Sequence, residues 1–565
     1  MTPTGGASLW RRLALPLAAA AGALAATAPI LFFPLGRDAG VFAYDTCEML
    51  AGRTPYLDFF DQKPPGILVL YAIPIGLAGR STLAIHLFEW LWAGLTAAAV
   101  ATAGRRLGRP AGGAAAGLAS ALLFSPAVSD FWHRGQVETF VGLLYCALLL
   151  LLVPSSGRLR AGRLFLAGFI TGACACMKPN MVASPVLLAA AVLLAGPGGD
   201  RLQRTLRAAA PFAAGAVLLP GLLIGWLALR GALGTAVETS LAVNASYLDS
   251  SAGEILGLLV SQNGLALGIA AALAVILLLV RAAGPSWLSG RMPAALGEPG
   301  RRGLHAAILA ALWAGGLATL VAGRFLFPYH HQVLVLPAAL SLGAAAAALG
   351  GPLWDRFERR PLAAAGVFVL GALCVLGIVE RTLRPQDRAF LRGDLRLADY
   401  QASPRFDFWD YSFRDERALA AALAEATAPA DRIQVFGHGS LALFLAGRRS
   451  ATRFSWTNAA MDPRYGREGL DRQEILGALT ATPPAAIVVT MHDPLHRFGT
   501  TTSDRQVAAF PPLARFLEEH YALAQTLGDF RLMLPKTAGG VSGPSRPADA
   551  SPGTTPAPPG GPPSE

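Results

Sequence analysis

The chain is punctuated by apolar segments close to the length that crosses a bilayer, and they recur as far as residue 380. That pattern excludes most folds at once. A chain with so many such segments must satisfy its backbone polar groups within helices that sit in lipid. The expected spans are 13–35, 82–104, 111–128, 137–154, 164–180, 181–198, 208–229, 256–280, 304–326, 332–351 and 361–379, eleven in all. Hydrophobic residues make up 53% of the 565, too many for a soluble chain of this length.

Basic residues supply the orientation. Arg11 and Arg12 precede the first span, and arginine clusters follow the second, fourth, sixth, eighth and tenth. These loops and the N terminus are therefore expected on the cytoplasmic side. The loops bearing Asp38, Glu138, Lys178, Glu238 and His330 then share the outer face, as does everything beyond the last span. The net charge of +11 is mostly this topological bias, and no nucleic-acid partner is expected. The five cysteines lie in or beside spans, without disulfide or zinc spacing, and read as packing residues.

Beyond residue 380 the hydropathy falls. Residues 381–536 alternate helical and strand-like segments: helix 417–426, strand 432–437, helix 440–446, helix 472–479, strand 485–490, helix 513–525 and strand 530–534. A small extracytoplasmic α/β layer domain is expected there. The tail, 537–565, is rich in Pro, Gly and Ser and is expected to be disordered. Phe436-Gly437-His438-Gly439 reads as a strand-to-helix turn, since it lacks the nucleophile-elbow pattern of a hydrolase.

Charge near hydrocarbon is costly and usually kept for function. The first outer loop concentrates it: Gly36-Arg37-Asp38-Ala39-Gly40, then Pro55-Tyr56-Leu57-Asp58-Phe59-Phe60-Asp61-Gln62-Lys63-Pro64-Pro65-Gly66. An Asp just past the first span, followed by Pro-Tyr-x-Asp-x-x-x-Gln-Lys-Pro-Pro, resembles the first loop of polytopic glycosyltransferases of the C superfamily. The pattern is most like the protein O-mannosyltransferase and lipid A aminoarabinose transferase group. The resemblance implies a helical polytopic membrane protein with interfacial outer helices. It also implies transfer of a sugar from a polyprenyl-phosphate donor to a cell-envelope glycan, lipid or protein, with inversion at the anomeric centre a further family expectation.

Within that resemblance Asp38 is the proposed base that takes the acceptor proton; the residues alone equally allow it to cap the helix that follows. Glu138, in the second outer loop, is grouped with the first Asp. Read alone it orients the acceptor, joins Asp38 on a cation, or caps its span and pairs with Arg134. Lys63 is one of three lysines in a chain whose other 44 basic residues are arginine. Lys63 and Lys178 both stand at the outer boundary before a proline, as phosphate ligands or as interface anchors. Arg324, Tyr329 and His330 lie in Arg324-Phe325-Leu326-Phe327-Pro328-Tyr329-His330-His331, which resembles an outer-edge region of the same families; read as residues they form a phosphate cradle, anchor the interface, or offer histidine to a metal. Adjacent histidines point different ways, so one ion shared by His330 and His331 is not expected. Asp58 and Asp61 share a face if their segment is helical. They then hold a divalent cation, or position the acceptor while pairing with Arg53 and Lys63. Asp45 and Glu48 are expected on the solvated face of an interfacial helix. The competing reading from hydropathy alone is a lipid or solute transporter, which would carry an internal repeat and charges at mid-membrane.

Overall fold

The computed structural model describes residues 5–108, 110–153, 159–195, 201–245, 253, 257, 302–323, 327–349, 361–408, 410–462, 470–493 and 501–536. The expected span at 256–280, Arg324 and the C-terminal tail lie outside them.

The apolar segments form helices α1 (Gly5–Thr27), α4 (Thr82–Leu107), α5 (Pro110–Phe124), α6 (Val137–Leu152), α7 (Ala161–Met177), α8 (Ala183–Ala195), α9 (Arg201–Leu229), α11 (Arg302–Gly323), α12 (Val335–Leu349) and α13 (Pro361–Thr382). Among the described residues, five helical stretches are long and apolar enough to cross a membrane, or six if the bent pair Gly366–Thr382 and Pro385–Leu391 is one span. Helices approach closely through small residues, as expected where lipid competes with apolar packing. Gly168 of α7 lies on the backbone of α9 at Phe212, and Gly215 of α9 on that of α7 at Phe165.

The segment between α1 and α4 contains two helices of its own, α2 (Arg37–Leu50) and α3 (Gly66–Ala78), while α10 is Leu233–Ala245. Helix α3 is fully apolar and was not among the expected spans; at 13 residues it is short for a crossing. Helix α2 does not lie with one side in water. It packs on one side against α3 and on the other against the helix Ser440–Ala446. Gly40 meets Leu441 so closely that a Cβ there would sit 2.6 Å from the leucine Cβ.

Beyond α13, short helices α14 (Pro385–Leu391) and α15 (Leu397–Gln401) lead to a two-stranded ribbon, β1 (Asp407–Phe408) and β2 (Tyr411–Ser412), and α16 (Phe413–Ala426). A five-stranded sheet follows in the order β4-β3-β5-β7-β6. Its strands are β3 (Arg432–Phe436), β4 (Arg449–Ser450), β5 (Ala486–Thr490), β6 (Tyr521–Leu527) and β7 (Phe530–Pro535). Strand β3 runs parallel to β4 and β5, whereas β7 is antiparallel to β5 and β6. Helix α17 (Ser440–Ala446) joins β3 to β4, and α19 (Leu470–Ala481) precedes β5, with short α18 (Asn458–Met461) between them. Helices α20 (Ser503–Ala508) and α21 (Pro511–His520) complete the layer.

One expectation fails here. The helix expected over 513–525 stops at His520, and Tyr521–Leu527 is the edge strand β6. Gly528, at φ +54, closes a tight hairpin that pairs β6 with β7. Strand pairing overrides the local helical spacing.

The membrane helices and the sheet share one continuous hydrophobic cluster, in which Phe33, Phe42 and Tyr71 pack in the same core as Leu441, Phe444 and Val435. Two ionic ties reinforce the seam. Buried Arg405 pairs with Asp130 at 2.6 Å and with Asp387 at 2.9 Å. Glu48 accepts from Arg449 at 2.9 Å and from Arg53 at 3.0 Å.

Candidate functional site

Helix α2 begins at Arg37 with Gly36 as its N-cap, so Asp38 lies in the first turn and is not the cap. Its carboxylate is free to face the seam. There Tyr329 donates to Asp38 Oδ2 at 3.3 Å, and Lys63 Nζ lies 3.8 Å from the same oxygen. The Asp38 side chain is 30% exposed, the most open carboxylate of the cluster. Burial pulls the Lys63 ammonium pKa down. Asp38, then Asp61, Glu138 and Asp45, outweigh it and hold the group above the usual lysine value. Lys63 also sits 4.8 Å over the Phe42 ring.

The loop that carries Lys63 is pinned by a close approach. Gly66 opens α3 against the end of α7, and a Cβ there would meet the Cys176 carbonyl and lie 2.7 Å from Met177 N. The Lys63 loop and the Lys178 turn are therefore neighbours. Lys178 Nζ donates to Glu138 Oε1 at 2.8 Å and lies 3.2 Å from His330 Nε2. An ammonium only donates, so His330 accepts through Nε2 in this arrangement. His330 Nε2 is also 3.5 Å from Glu138 Oε1, and its ring packs on Tyr329 with centroids 4.6 Å apart.

Six residues singled out in the sequence thus form one contiguous chain: Lys63, Asp38, Tyr329, His330, Lys178 and Glu138. They come from five separate segments. Glu138 pairs with Lys178 and not with Arg134, contrary to one reading of its loop. At 2% side-chain exposure it stands behind Lys178, where it holds the lysine and His330. His331 points away, to Ser129 at 3.4 Å and to the His133 ring, as expected for adjacent histidines.

Asp58 and Asp61 are not on one helical face, because their segment is a turn. Asp58 is exposed and accepts from Thr54 N at 2.8 Å. Asp61 is buried and accepts from Lys63 N at 3.2 Å. Arg53 pairs with Glu48, not with either of them. No group of three or more His, Cys, Asp or Glu positioned for a metal ion occurs among the described residues.

Asp45 and Glu48 overturn the expectation of a solvated face: they are 0% and 4% exposed. The reason is the layer over α2, which turns an interfacial helix into an interior one. Both Asp45 carboxylate oxygens lack a hydrogen-bond partner among the described residues. Burial, then Asp61 and Glu48, push its pKa well above the usual aspartate range, so it is held neutral. Burial likewise raises Asp61, against the pull of Lys63.

A second charged group was not anticipated. His86 and Glu89 on α4 are buried with Arg134, with His86 Nδ1 3.8 Å and Arg134 Nη1 3.7 Å from Glu89. Arg134 also donates to the Phe124 and Ser129 carbonyls, which fastens the loop leading to Glu138. A glutamate inside an apolar span was the available signal.

No family model matches the chain, and no curated protein matches it. Solved structures do. The crystal structure of ArnT, the lipid A aminoarabinose transferase, from Cupriavidus metallidurans bound to undecaprenyl phosphate superposes with a TM-score of 0.56, at 14% identity, over 95% of this chain and 99% of that one. The same protein in its apo state gives 0.52, at 16% identity, over 94% and 98%. The fold is that of ArnT. The archaeal oligosaccharyltransferase AglB from Archaeoglobus fulgidus, in complex with an inhibitory peptide and a dolichol-phosphate, gives 0.43 at 12% identity, over 94% and 75%. The ArnT likeness covers 95% of this chain, so the helical architecture expected from the first-loop pattern is observed, while the helix expected at the interface, α2, is interior.

Proposed function

We propose that the protein is an integral membrane glycosyltransferase that moves a sugar from a polyprenyl-phosphate donor to a cell-envelope acceptor at the outer face of the cytoplasmic membrane. The observation that carries this reading is the contiguous Lys63–Asp38–Tyr329–His330–Lys178–Glu138 chain, in a fold shared with a structure that holds undecaprenyl phosphate. Two lysines flanking a histidine and a tyrosine suit a lipid-linked phosphate: compact cations supply charge, and the phenol and imidazole supply directed hydrogen bonds. Arg324, just upstream of Tyr329 in sequence, is assigned to the same phosphate.

Asp38 is the base. It is the open carboxylate of the cluster, and it is anchored by Tyr329 and Lys63 on one oxygen. It takes the acceptor hydroxyl proton as the acceptor oxygen bonds to the anomeric carbon. The bond from that carbon to the phosphate oxygen breaks, and polyprenyl phosphate leaves with its negative charge balanced by Lys63 and Lys178. Attack opposite the leaving group inverts the anomeric centre. Glu138 keeps Lys178 and His330 in place, and Asp61 orients the Lys63 loop.

The deciding experiment incubates purified protein with a panel of radiolabelled polyprenyl-phosphate sugars and envelope extract. Label should move into a lipid-free or lipid-A-type acceptor fraction, and the movement should vanish in Asp38→Asn. No transfer from any donor, with label recovered only as intact donor, would reject the reading. The same reading has eleven spans, the N terminus inside, and residues 381–565 outside, with 381–536 a small α/β domain. An alkaline phosphatase fused to the C terminus should then be active, and an inactive fusion with a working cytoplasmic reporter would refute that orientation.

A further inference from the structure

The sheet has a reversal of winding at one place. From β3 the chain crosses through α17 to β4 on one side, and then through α19 to β5 on the other. In open sheets with parallel strands, ligands bind beyond the carboxyl ends at such a point, because the two crossovers leave in opposite directions and leave a crevice between them. The crevice here lies beyond Phe436 and Thr490. Gly437, at φ +123, turns the chain out of β3, and a Cβ on it would lie 2.8 Å from Thr490 Cβ and 2.9 Å from Asp493 Oδ2. His438 follows, bridged by backbone pairing to Trp456 and stacked on its indole with centroids 5.5 Å apart and planes 4° apart.

Four side chains in this crevice bury polar atoms that have no hydrogen-bond partner among the described residues: both ring nitrogens of His438, Trp456 Nε1, Asn458 Oδ1 and Thr490 Oγ1. Trp456, Asn458 and Thr490 are 8%, 5% and 4% exposed. Buried polar groups are nearly always paired, so such a concentration needs an explanation. The neighbouring carboxylate is already satisfied. Asp493 accepts from Asn458 at 3.1 Å, from Ser503 N at 2.8 Å and from Ser503 Oγ at 2.6 Å. The unmet capacity is therefore neutral, with donors and acceptors mixed. Burial, then the charges of Arg37 and Lys63, hold His438 neutral well below the usual histidine range.

The crevice adjoins the loop of the membrane site. Trp456 packs on Phe60 with centroids 5.0 Å apart, and Phe60 adjoins Asp61 in the Lys63 loop. Phe60 N donates to Arg453 O at 2.9 Å, which ties that loop to the segment carrying Trp456. Hydroxyl groups of a sugar both donate and accept, and its C–H faces rest on aromatic rings, whereas an anion would meet the Asp493 carboxylate.

We propose that the crevice at the carboxyl ends of β3 and β5, lined by His438, Trp456, Asn458 and Thr490, binds a neutral polyhydroxylated portion of the acceptor and presents it to Asp38. This rests on the reading of Asp38 as the base of a transferase. The test uses full-length protein in nanodiscs. Neutral and acidic oligosaccharide fractions released from the envelopes of the source cells are titrated by saturation-transfer difference NMR, and undecaprenyl phosphate is titrated separately. The neutral fraction binds, and its dissociation constant rises at least tenfold in His438→Phe and in Thr490→Val, while His438→Gln restores most of it. Undecaprenyl phosphate binds all variants within twofold. Because the atoms removed have no hydrogen-bond partner among the described residues, the ligand-free melting temperature of Thr490→Val and His438→Phe equals or exceeds that of the parent. Unchanged neutral-sugar binding in both variants, binding of the acidic fraction alone, no saturation with the parent protein, or a lower melting temperature in both variants overturns the proposal. Loss of undecaprenyl phosphate binding by the parent, with sugar binding as expected, would instead reject the transferase reading and leave the crevice standing.

Discussion

Replacing Asp38 by Asn separates chemistry from structure. The structural cost can be bounded from its contacts. Asp38 is not the N-cap of α2, so no capping hydrogen bond is lost. A carboxylate in the first turn interacts favourably with the helix dipole, worth about 0.3–1 kcal/mol. Its ion pair with Lys63 is long, at 3.8 Å, and part-exposed, so it contributes about 0–1 kcal/mol. The Tyr329 hydroxyl keeps an amide oxygen to donate to. Loss of stability should therefore stay within about 2 kcal/mol. Loss of a positioned base costs about 10²–10⁴ in rate, or about 2.7–5.4 kcal/mol in the barrier. The assay is single-turnover transfer of label from saturating donor to envelope acceptor, beside a melting curve and undecaprenyl phosphate binding on the same preparation. The expected outcome is a fold-loss in that range with the melt nearly unchanged and the lipid affinity within a few fold. Near-parental turnover would refute the assignment of the base. A collapsed melt would refute the bound on its structural part.

Lys63→Ala should weaken undecaprenyl phosphate binding by about 1.5–3 kcal/mol, as for a lost charge-assisted hydrogen bond, and Arg324→Ala should act in the same direction; unchanged affinity in both would dismiss the phosphate cradle. Gly66→Ala drives a methyl group into the backbone of Cys176 and Met177, so it should displace the Lys63 loop; transfer falls at least tenfold, and retention of full turnover would show that the loop does not need this contact. Glu416 is buried and its pKa is pushed up to about 8, first by desolvation, with Arg37 pulling the other way. A carboxyl whose folded pKa is raised above its unfolded value contributes stability that is complete below about pH 4.5 and is lost as pH rises to about 8. The melting temperature should therefore decline across that window and flatten above it. Glu416→Gln should reduce the decline, which by linkage is at most about 5 kcal/mol; an identical pH profile in the variant would show that the carboxyl is ionised throughout.

The sequence alone determined the features that depend on short stretches. Apolar length is a local property, which is why α1, α4, α6, α9 and α11 fall where the hydropathy puts them. Strand β3 and helix α17 were legible for the same reason: a buried apolar run ending at Gly437 needs only its neighbours to be read. Asp38, Lys63, Lys178 and Glu138 were recognisable one by one because charge beside hydrocarbon is costly and conspicuous, whereas Tyr329 and His330 were picked out by the resemblance of their stretch to the transferase families. What joins them was not legible. Lys178 meets Glu138 across 40 residues, and Tyr329 meets Asp38 across 291; only packing of α2, α6 and the turn before α12 selects those partners over the nearer Arg134. The same packing decided Asp45. Its helix carries an amphipathic pattern that alone suits an interface with water, but the helix is packed between neighbouring elements with Asp61 and Lys63 close to Asp45, and a solvated acid becomes a buried neutral one. The crevice beyond β3 and β5 belongs wholly to the tertiary level, because it exists only where two crossovers part, and strand order is a property of pairing that no single segment contains.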